Sequence, residues 1–327
     1  MVFDPCLDRD FFPPLEAEKS GILPRETGVE IYWEISGNPK GIPVLYLHGG
    51  PGAGLSPIQR RFFDPEAFRV LLFDQRGAGR SRPHALQMND LNNNTTSALI
   101  ADMEALRKYM GVERWLLMGG SWGSTLAFAY AQSHPERCLG LIIRGFFAGT
   151  DVEIEHFLTV LGDQYPEAQQ SFLNIIGLGL EDKLSSEEIL TRYWKAFHDD
   201  ERREAAIKAW TRYEFSCASL RYQPQELNIP FSVASSIAIL EAHYMRHSCF
   251  LEPDQLFLNM LRIRHLPIFI AQGRHDRICP PKFAWRFAKE NPNISLRIIE
   301  AAAHSVSDMP LRVAAVGATE SMKQILK

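Results

Sequence analysis

The sequence predicts an α/β fold with a mostly parallel central sheet and an inserted helical region. Short apolar runs end repeatedly in glycine-rich turns and alternate with helical patterns, as the buried strands of a parallel sheet do. Between about residues 150 and 255 the pattern is instead helical and richer in charge, with no convincing strand. A chain of 327 residues is long enough for one large α/β core with such an insertion.

Seven apolar runs are the predicted strands. They lie at 28–36, 43–47, 69–73, 114–118, 139–143, 266–271 and 295–299. Helices are predicted at 96–110 and 125–131. We expect residues 1–149 and 256–327 to form the two parts of the core and residues 150–255 to form a helical cap. Because ligands of parallel sheets bind beyond the carboxyl ends of the strands, motifs at those ends are the candidates for function.

The turn after the strand 114–118 has the sequence Gly119-Gly120-Ser121-Trp122-Gly123. A G-x-S-x-G turn between a strand and a helix is the nucleophile elbow of an α/β-hydrolase. Glycines beside the serine let the backbone turn sharply enough to hold it in a strained conformation. At the head of the helix, Ser121 would also meet the positive end of the helix dipole. The sequence therefore predicts an α/β-hydrolase fold with Ser121 as the nucleophile.

A serine nucleophile needs a general base, and the base needs a carboxylate that orients it. In this fold the carboxylate precedes the histidine along the chain. Asp276 follows the strand 266–271, and His304 follows the last strand, 295–299. We therefore predict a catalytic triad of Ser121, Asp276 and His304, in which Asp276 holds the tautomer of His304.

Two backbone amides are predicted to stabilise the negative charge of a tetrahedral intermediate. One belongs to Trp122, directly after the nucleophile, and the other is assigned to Gly50 in the loop His48-Gly49-Gly50-Pro51-Gly52. Glycine allows the backbone to approach a ligand closely. The segment Asp74–Ser81, after the next strand, is interpreted as scaffolding for neighbouring loops without a chemical role.

Composition and charge exclude several classes of protein. The net charge is −4 with no basic stripe, which argues against nucleic acid as a partner. No apolar run reaches the ~18 residues of a membrane span. Residues 1–12 contain no apolar signal-peptide core, so the expected compartment is the cytoplasm. The five cysteines are scattered without a C-x-x-C, and we expect no disulfide framework, no metal and no cofactor.

Four motifs in order are more specific than any one of them. They are His48-Gly-Gly-Pro-Gly52, Asp74-Gln-Arg-Gly-x-Gly-x-Ser81, Gly119-Gly-Ser-Trp-Gly-Ser124 and Gly273-Arg-x-Asp276. This combination resembles the proline iminopeptidase (prolyl aminopeptidase) family of serine peptidases, over about residues 14–310. The resemblance implies hydrolysis of an N-terminal proline from small peptides with a free N-terminus, without a metal.

The resemblance also implies residues that bind the substrate. Two cap glutamates of the family bind the free α-amino group, and Glu214 and Glu241 stand in sequences similar to theirs. Carboxylates in a partly closed cleft would pair with a substrate ammonium group and exclude blocked amines. Phe147 is expected to line the pocket for the proline ring. Cys279 either borders the same pocket or is a buried thiol.

Three departures from the family pattern are visible. Ala303 precedes His304 where the family usually has glycine, and because alanine tolerates positive φ poorly, we expect a shifted base loop. Tyr213 replaces a tryptophan, and His156 and Leu158 replace two aromatic residues of the first cap helix. These changes affect the pocket, and with it the strictness of a preference for proline, more than the catalytic core.

The residues leave two other functions open. One is an esterase or amidase of the same fold that accepts a small acyl group without a free amine. The other is a ligand-binding protein that keeps a hydrolase shell, although the set Ser121, Asp276 and His304 argues against it. Ser121 also argues against the enzymes of this fold that use an aspartate nucleophile.

Overall fold

The computed structural model describes residues 3–88, 90–221 and 228–327, and within them it contains an eight-stranded sheet. The strands are β1 (Lys19–Pro24), β2 (Glu30–Gly37), β3 (Ile42–Leu47), β4 (Phe68–Phe73), β5 (Trp115–Ser121), β6 (Cys138–Phe146), β7 (Ile268–Gly273) and β8 (Ile294–Ile299). Their order is β1-β2-β4-β3-β5-β6-β7-β8. β2 pairs antiparallel with both of its neighbours, and all other pairs are parallel. The predicted α/β fold with a mostly parallel sheet is confirmed.

β1 is the strand that the sequence pattern did not reveal. It lies at the edge of the sheet and pairs with β2, with Ile22 opposite Tyr32. Most of its side chains are exposed or half-buried, and only Leu23 is buried. An edge strand without a buried face lacks the alternation that identifies strands in a sequence.

Helices cover both faces of the sheet. In the described residues they are α1 (Thr96–Tyr109), α2 (Trp122–Ser133), α3 (Asp151–Glu155), α4 (Pro166–Ile175), α5 (Ser186–Phe197), α6 (Arg203–Cys217), α7 (Phe231–Arg246), α8 (Gln255–Leu258), α9 (Pro281–Glu290) and α10 (Met309–Ile325). Leu45 and Leu47 of β3 face a core that includes residues of α1, α2 and α9. Val44 and Tyr46 face a second core that includes residues of α10. Both faces of β3 are therefore buried, as is usual for parallel sheets.

The helices α3 to α8 lie between β6 and β7, and the described residues of that region contain no strand. A single π-helical turn, His156–Val160, continues α3. The region has its own aromatic packing: the ring of Phe172 stacks on those of Tyr193 and Tyr213 at 4.5 Å between centroids. The helical pattern between residues 150 and 255 thus matches helices, while the division of the chain into domains at these positions stays a prediction.

α7 connects this helical region to the catalytic edge of the sheet. The Ser236 hydroxyl donates a hydrogen bond to the carbonyl oxygen of Gly52 at 2.7 Å. A Cβ atom at Gly52 would collide with the Ser236 carbonyl, so the loop and α7 are in backbone contact. The helix that carries Glu241 is therefore seated directly on the loop that carries Gly50.

Within the described segments, no helix combines the length and the apolar character that a membrane span requires.

Candidate active site

Ser121 lies at a sharp turn between β5 and α2. Its backbone has φ 55° and ψ −130°, a combination that is strained for a residue other than glycine. The turn is possible because Gly119 and Gly123 lack side chains: a Cβ at Gly119 would collide with the carbonyl of Gly123, and one at Gly123 would collide with the carbonyl of Leu47. The local sequence therefore creates the exposed serine geometry of a nucleophile elbow.

Asp276 and His304 come together at the carboxyl ends of β7 and β8. The distance from Asp276 Oδ2 to His304 Nδ1 is 2.8 Å, and the Asp276 side chain is fully buried. Its Oδ1 accepts a hydrogen bond from the Cys279 amide at 2.8 Å, and its Oδ2 accepts a second one from Gln272 Nε2 at 3.0 Å. Every oxygen of this buried carboxylate thus has a donor, which fixes its orientation toward the imidazole.

The loop before His304 is held without positive φ. Ala303 is not among the described residues with a left-handed backbone, so the alanine carries no such strain, and a shift of the base loop relative to the family stays a prediction. The amide of Ala303 donates to Asp308 Oδ2 at 2.8 Å, and the amide of His304 donates to the carbonyl of Ala218 at 3.0 Å. Alanine is tolerated because this loop needs no glycine conformation at residue 303.

Gly145, at the end of β6, brings the backbone against the His–Asp pair. It has φ +52°, and a Cβ atom there would lie 2.9 Å from His304 Cε1 and 3.3 Å from Asp276 Oδ2. Both the conformation and the close approach require glycine. The sequence analysis did not identify this contact.

Ser121 and His304 line one large cavity of about 890 Å³. In the described residues, Ser121 makes no hydrogen bond to the His304 ring; its hydroxyl interacts instead with the thiol of Cys279. Burial raises the pKa of Cys279 well above its usual range, so this thiol stays protonated. Hydrogen bonds between nucleophile and base often form fully only with substrate in place.

Among the described residues, one group has possible metal-ligand atoms that lie within 4.8 Å of one another. It consists of Asp276, Cys279 and His304. Asp276 Oδ2 and His304 Nδ1 are only 2.8 Å apart and share a hydrogen bond. Two ligands bound to one zinc ion at about 2.0–2.2 Å in tetrahedral geometry would be farther apart than this. The arrangement therefore suits a hydrogen-bonded pair better than a metal centre.

Gly50 and Trp122, the predicted oxyanion residues, belong to two segments that are in contact. A Cβ atom at Gly49 would lie 3.3 Å from Ser121 Cβ, which places the loop 48–52 directly beside the nucleophile. Trp122 is the first residue of α2, and its side chain is fully buried. Gly50 lines both cavities that meet at Ser121.

A second, smaller cavity beside Ser121 is lined by Glu214, Glu241 and Phe147. Its volume is about 20 Å³. The remaining lining residues are Gly50, Glu153, Ile154, Phe157, Met245, Ile278 and Cys279. The structure thus brings the predicted cap residues to the nucleophile, and it places Cys279 at this pocket as well as in the interior.

The two cap carboxyls form a coupled pair. The indole Nε1 of Trp210 donates to Glu241 Oε2 at 2.6 Å, and the Glu241 carboxyl is hydrogen-bonded to Glu214. Glu214 Oε2 is buried without a partner, although part of this residue faces the larger cavity. Burial raises the pKa of Glu214 to about 7, and burial together with the charge of Glu214 raises the pKa of Glu241 well above its usual range. The pair therefore keeps a proton near neutral pH.

Glu153 is a third carboxyl at this pocket, and the sequence analysis missed it. Its oxygens accept hydrogen bonds from the amides of Ala148 and Thr150 and from the Thr150 hydroxyl, at 2.8 to 3.1 Å. Burial raises the pKa of Glu153 to about 7. The signal was available, because Thr150-x-x-Glu153 before an apolar helix is a capping box.

Comparison with known proteins agrees with this geometry. Residues 42–308 match the family model of the α/β hydrolase fold. A protein of Leptolyngbya boryana named probable proline iminopeptidase is 40% identical over 319 residues, which are 95% of this chain and 96% of that protein. The chain belongs to the proline iminopeptidase family. This membership confirms the resemblance seen in the sequence, and it places the chain among the hydrolases.

Other members of the family come from distant organisms. Proline iminopeptidase of Neisseria meningitidis serogroup B is 42% identical over 307 residues, covering 93% of this chain and 96% of that one. The enzyme of Arabidopsis thaliana is 41% identical, covering 97% of this chain and 83% of that one.

Solved structures show the same fold. An esterase of Exiguobacterium antarcticum superposes with a TM-score of 0.64 at 19% identity, covering 93% of this chain and all (100%) of that one. A proline iminopeptidase-related protein of Thermus thermophilus superposes with a TM-score of 0.57 at 21% identity, covering 95% of this chain and 98% of that one.

Proposed function

We propose that this protein is a serine aminopeptidase that hydrolyses the peptide bond after an N-terminal proline. Its substrates are small peptides with a free N-terminus, and the helical region between β6 and β7 acts as the cap that binds their amine. The relatives named proline iminopeptidase support this assignment. The observation that carries it is the carboxyl pair of Glu214 and Glu241, which shares a small pocket with Ser121.

Ser121 is the proposed nucleophile, with His304 as the base that removes its proton. The Ser121 hydroxyl attacks the prolyl carbonyl, His304 receives the proton, and the protonated imidazole then delivers it to the leaving amine. Asp276 Oδ2, 2.8 Å from His304 Nδ1, accepts the hydrogen bond of the Nδ1 proton and stabilises the imidazolium. Water then attacks the prolyl ester by the same route and regenerates the serine.

The backbone amides of Gly50 and Trp122 are the proposed donors to the oxyanion. The carbonyl oxygen gains negative charge as the tetrahedral intermediate forms, and fixed N–H groups stabilise that charge without reorganisation. Trp122 opens α2, so its amide is one of the unpaired donors at a helix N-terminus.

Glu214 and Glu241 are the proposed partners of the substrate ammonium group. Burying carboxyls without a cation is unfavourable, as the raised pKa values of both groups record. A substrate ammonium would pair with the free Oε2 of Glu214 and displace the shared proton. The bound state then satisfies a buried polar atom that has no partner within the protein.

The two cavities define which end of the peptide goes where. The small pocket on the carboxylate side, about 20 Å³, must widen to admit a proline ring, with Phe147 as its apolar wall. The cavity of about 890 Å³ that Ser121 also lines has room for the rest of the peptide. This asymmetry favours removal of a single N-terminal residue over cleavage within a chain.

A panel of aminoacyl arylamides, with proline among them, tests the proposal. We expect turnover to be highest with prolyl arylamide and absent with N-acetylprolyl arylamide. We expect all turnover to disappear in the variant Ser121→Ala. A serine-directed phosphonate should label the wild type and not that variant. Turnover of short acyl esters without turnover of any free-amine arylamide would instead assign the chain to the esterases.

A further inference from the structure

Gln75 reaches the active site from the segment Asp74–Ser81, which follows β4. The residue is buried, with 2% of its surface exposed. Its side-chain Nε2 donates to the carbonyl oxygen of His48 at 2.9 Å, and its Oε1 accepts from the indole Nε1 of Trp122 at 2.9 Å. One amide group therefore joins the two chain segments that carry the proposed oxyanion donors.

The backbone of Gln75 strengthens the same connection. Its amide donates to His48 Nε2 at 3.0 Å, and the other ring nitrogen, Nδ1, contacts the carbonyl of Gly49 at 3.0 Å. Burial lowers the pKa of His48, so the imidazole is neutral and its Nδ1 donates to Gly49. His48 is thus held at its ring and at its carbonyl, two residues before Gly50.

The rest of the segment makes Gln75 a rigid support. Asp74 Oδ1 accepts from the amide of Leu55 at 2.6 Å, and its Oδ2 accepts from the amide of Arg80 at 2.8 Å. The Ser81 hydroxyl donates to the carbonyl of Asp74 at 2.6 Å. Asp74 therefore fixes its own turn and, through Leu55, the chain just after the loop 48–52. Gln75 fixes the start of that loop at His48.

We infer that Gln75 is a positioning residue for the oxyanion hole, whose amide sets the separation between the N–H groups of Gly50 and Trp122. Both donors must lie about 2.7–3.1 Å from the oxyanion. A displacement of about 1 Å can cost about 100-fold in rate. Without the amide, the His48 carbonyl and the Trp122 indole lose their shared partner, and the two segments are free to separate. The inference rests on the proposed function in one respect, because it requires that Ser121 accepts an acyl group.

The variant Gln75→Met tests this role, because methionine has a similar length, cannot donate to the His48 carbonyl and is only a weak acceptor for the Trp122 indole. We expect kcat for a prolyl arylamide to fall roughly 10- to 100-fold while KM changes less than about threefold. Affinity for pyrrolidine-2-boronic acid, whose adduct with Ser121 places an oxygen in the oxyanion hole, should fall by a similar factor. Affinity for the product proline should stay unchanged, since proline makes no tetrahedral adduct.

Gln132→Met is the matched control. Gln132 lies near the end of α2, has 2% of its surface exposed, and donates to the carbonyl of Leu256 at 2.7 Å, away from Ser121. This variant should lose stability but keep kcat and both affinities. If Gln75→Met does not fold, Trp122→Phe removes the same hydrogen bond from the other side and should show the same split between kcat and KM.

A kcat for Gln75→Met within twofold of that for Gln132→Met would overturn the inference, as would equal losses of boronate and proline affinity. An activated acyl ester is measured in parallel. If the wild type hydrolyses only the ester, the proposed specificity has failed, yet Gln75→Met must still lower kcat for the ester. If the wild type hydrolyses neither substrate and Ser121 resists a phosphonate, both proposals fail.

Discussion

Asp276 beside His304 and Glu241 of the cap pocket are both almost completely buried, and Glu214 is half-buried with one buried carboxyl oxygen, but the surroundings of these groups differ. Asp276 accepts hydrogen bonds from the Cys279 amide and from Gln272, and it faces His304 at 2.8 Å. Glu214 has a buried oxygen without a partner, and its carboxyl lies against the carboxyl of Glu241. The carboxylate oxygens of the first site are satisfied within the protein, whereas Glu214 Oε2 of the second has no hydrogen-bond partner among the described residues.

The difference indicates which part of the site performs chemistry and which part recognises the substrate. A carboxylate with all its partners holds a catalytic base in one orientation and acts alike on every substrate. An incomplete carboxyl pair is unfavourable until a positive group arrives, so it acts only on substrates that carry one. Changes at Asp276 and at Glu241 should therefore separate in their dependence on the substrate.

The largest effect is expected for Asp276→Asn. An amide at this position favours the wrong tautomer of His304, and kcat should fall by about 10⁴-fold. The loss should be the same for a prolyl arylamide and for a neutral acyl ester, because the base serves both. Steady-state kinetics on the two substrates measure it, and a loss confined to the prolyl substrate would contradict the division of roles.

A smaller but still large effect is expected for Gly145→Ala. The added Cβ would press on His304 and Asp276, so kcat should fall by about 100-fold on both substrates. Gly111→Ala is the control, since Gly111 also has positive φ but has nothing within 4 Å of the added atom. Both variants should lose stability in thermal unfolding through backbone strain. Only Gly145→Ala should lose activity. Equal kinetics for the two variants would contradict the claim that a side chain at residue 145 disturbs His304.

Glu241→Gln should affect free-amine substrates selectively. We expect KM for a prolyl arylamide to rise about 10- to 100-fold, the value of a hydrogen bond to a charged group, with little change for a neutral ester. Glu153→Gln lines the same pocket and is the matched control: it weakens the cap of α3 and should lower stability without selecting between substrates. Equal effects of Glu241→Gln on both substrates would argue against amine binding.

The smallest expected effect is a dependence of selectivity on pH. The pKa of Glu214 is raised to about 7, so this carboxyl gains a proton as the pH falls from 7.5 to 6 and no longer attracts an ammonium group. The ratio of kcat/KM for prolyl and neutral substrates should fall about eightfold over that interval. Taking the ratio removes the titration of the shared base. A ratio that rises or stays level as the pH falls would count against the carboxyl pair.

Much of the catalytic edge could be predicted from the sequence because it depends on local patterns. The strands before Ser121 and Asp276 are apolar runs, and the order of Ser121, Asp276 and His304 is characteristic of the fold. The assignment of Ser121, Asp276 and His304 to a triad remains a proposal about chemistry, supported by the contact between Asp276 and His304.

Contacts between distant segments could not be predicted in the same way. Gln75 was interpreted only as scaffolding, because nothing in Asp74–Ser81 shows that its amide meets both His48 and Trp122. The sequence also did not show that Asp308 and Ala218 hold the loop at Ala303 and His304, with no positive φ at Ala303. Such features follow from tertiary packing, which a local pattern does not encode.

The central claim is that the carboxyl pair recognises a charged amine, and a matched pair of substrates tests it most directly. We would compare kcat/KM for prolyl arylamide with that for its oxolane-2-carbonyl analogue, in which a ring oxygen replaces the charged ring nitrogen. We predict a preference for proline of about 100-fold, which collapses in the double variant Glu214→Gln/Glu241→Gln. Equal rates on the two substrates in the wild type, or a preference that survives in the double variant, would contradict the claim.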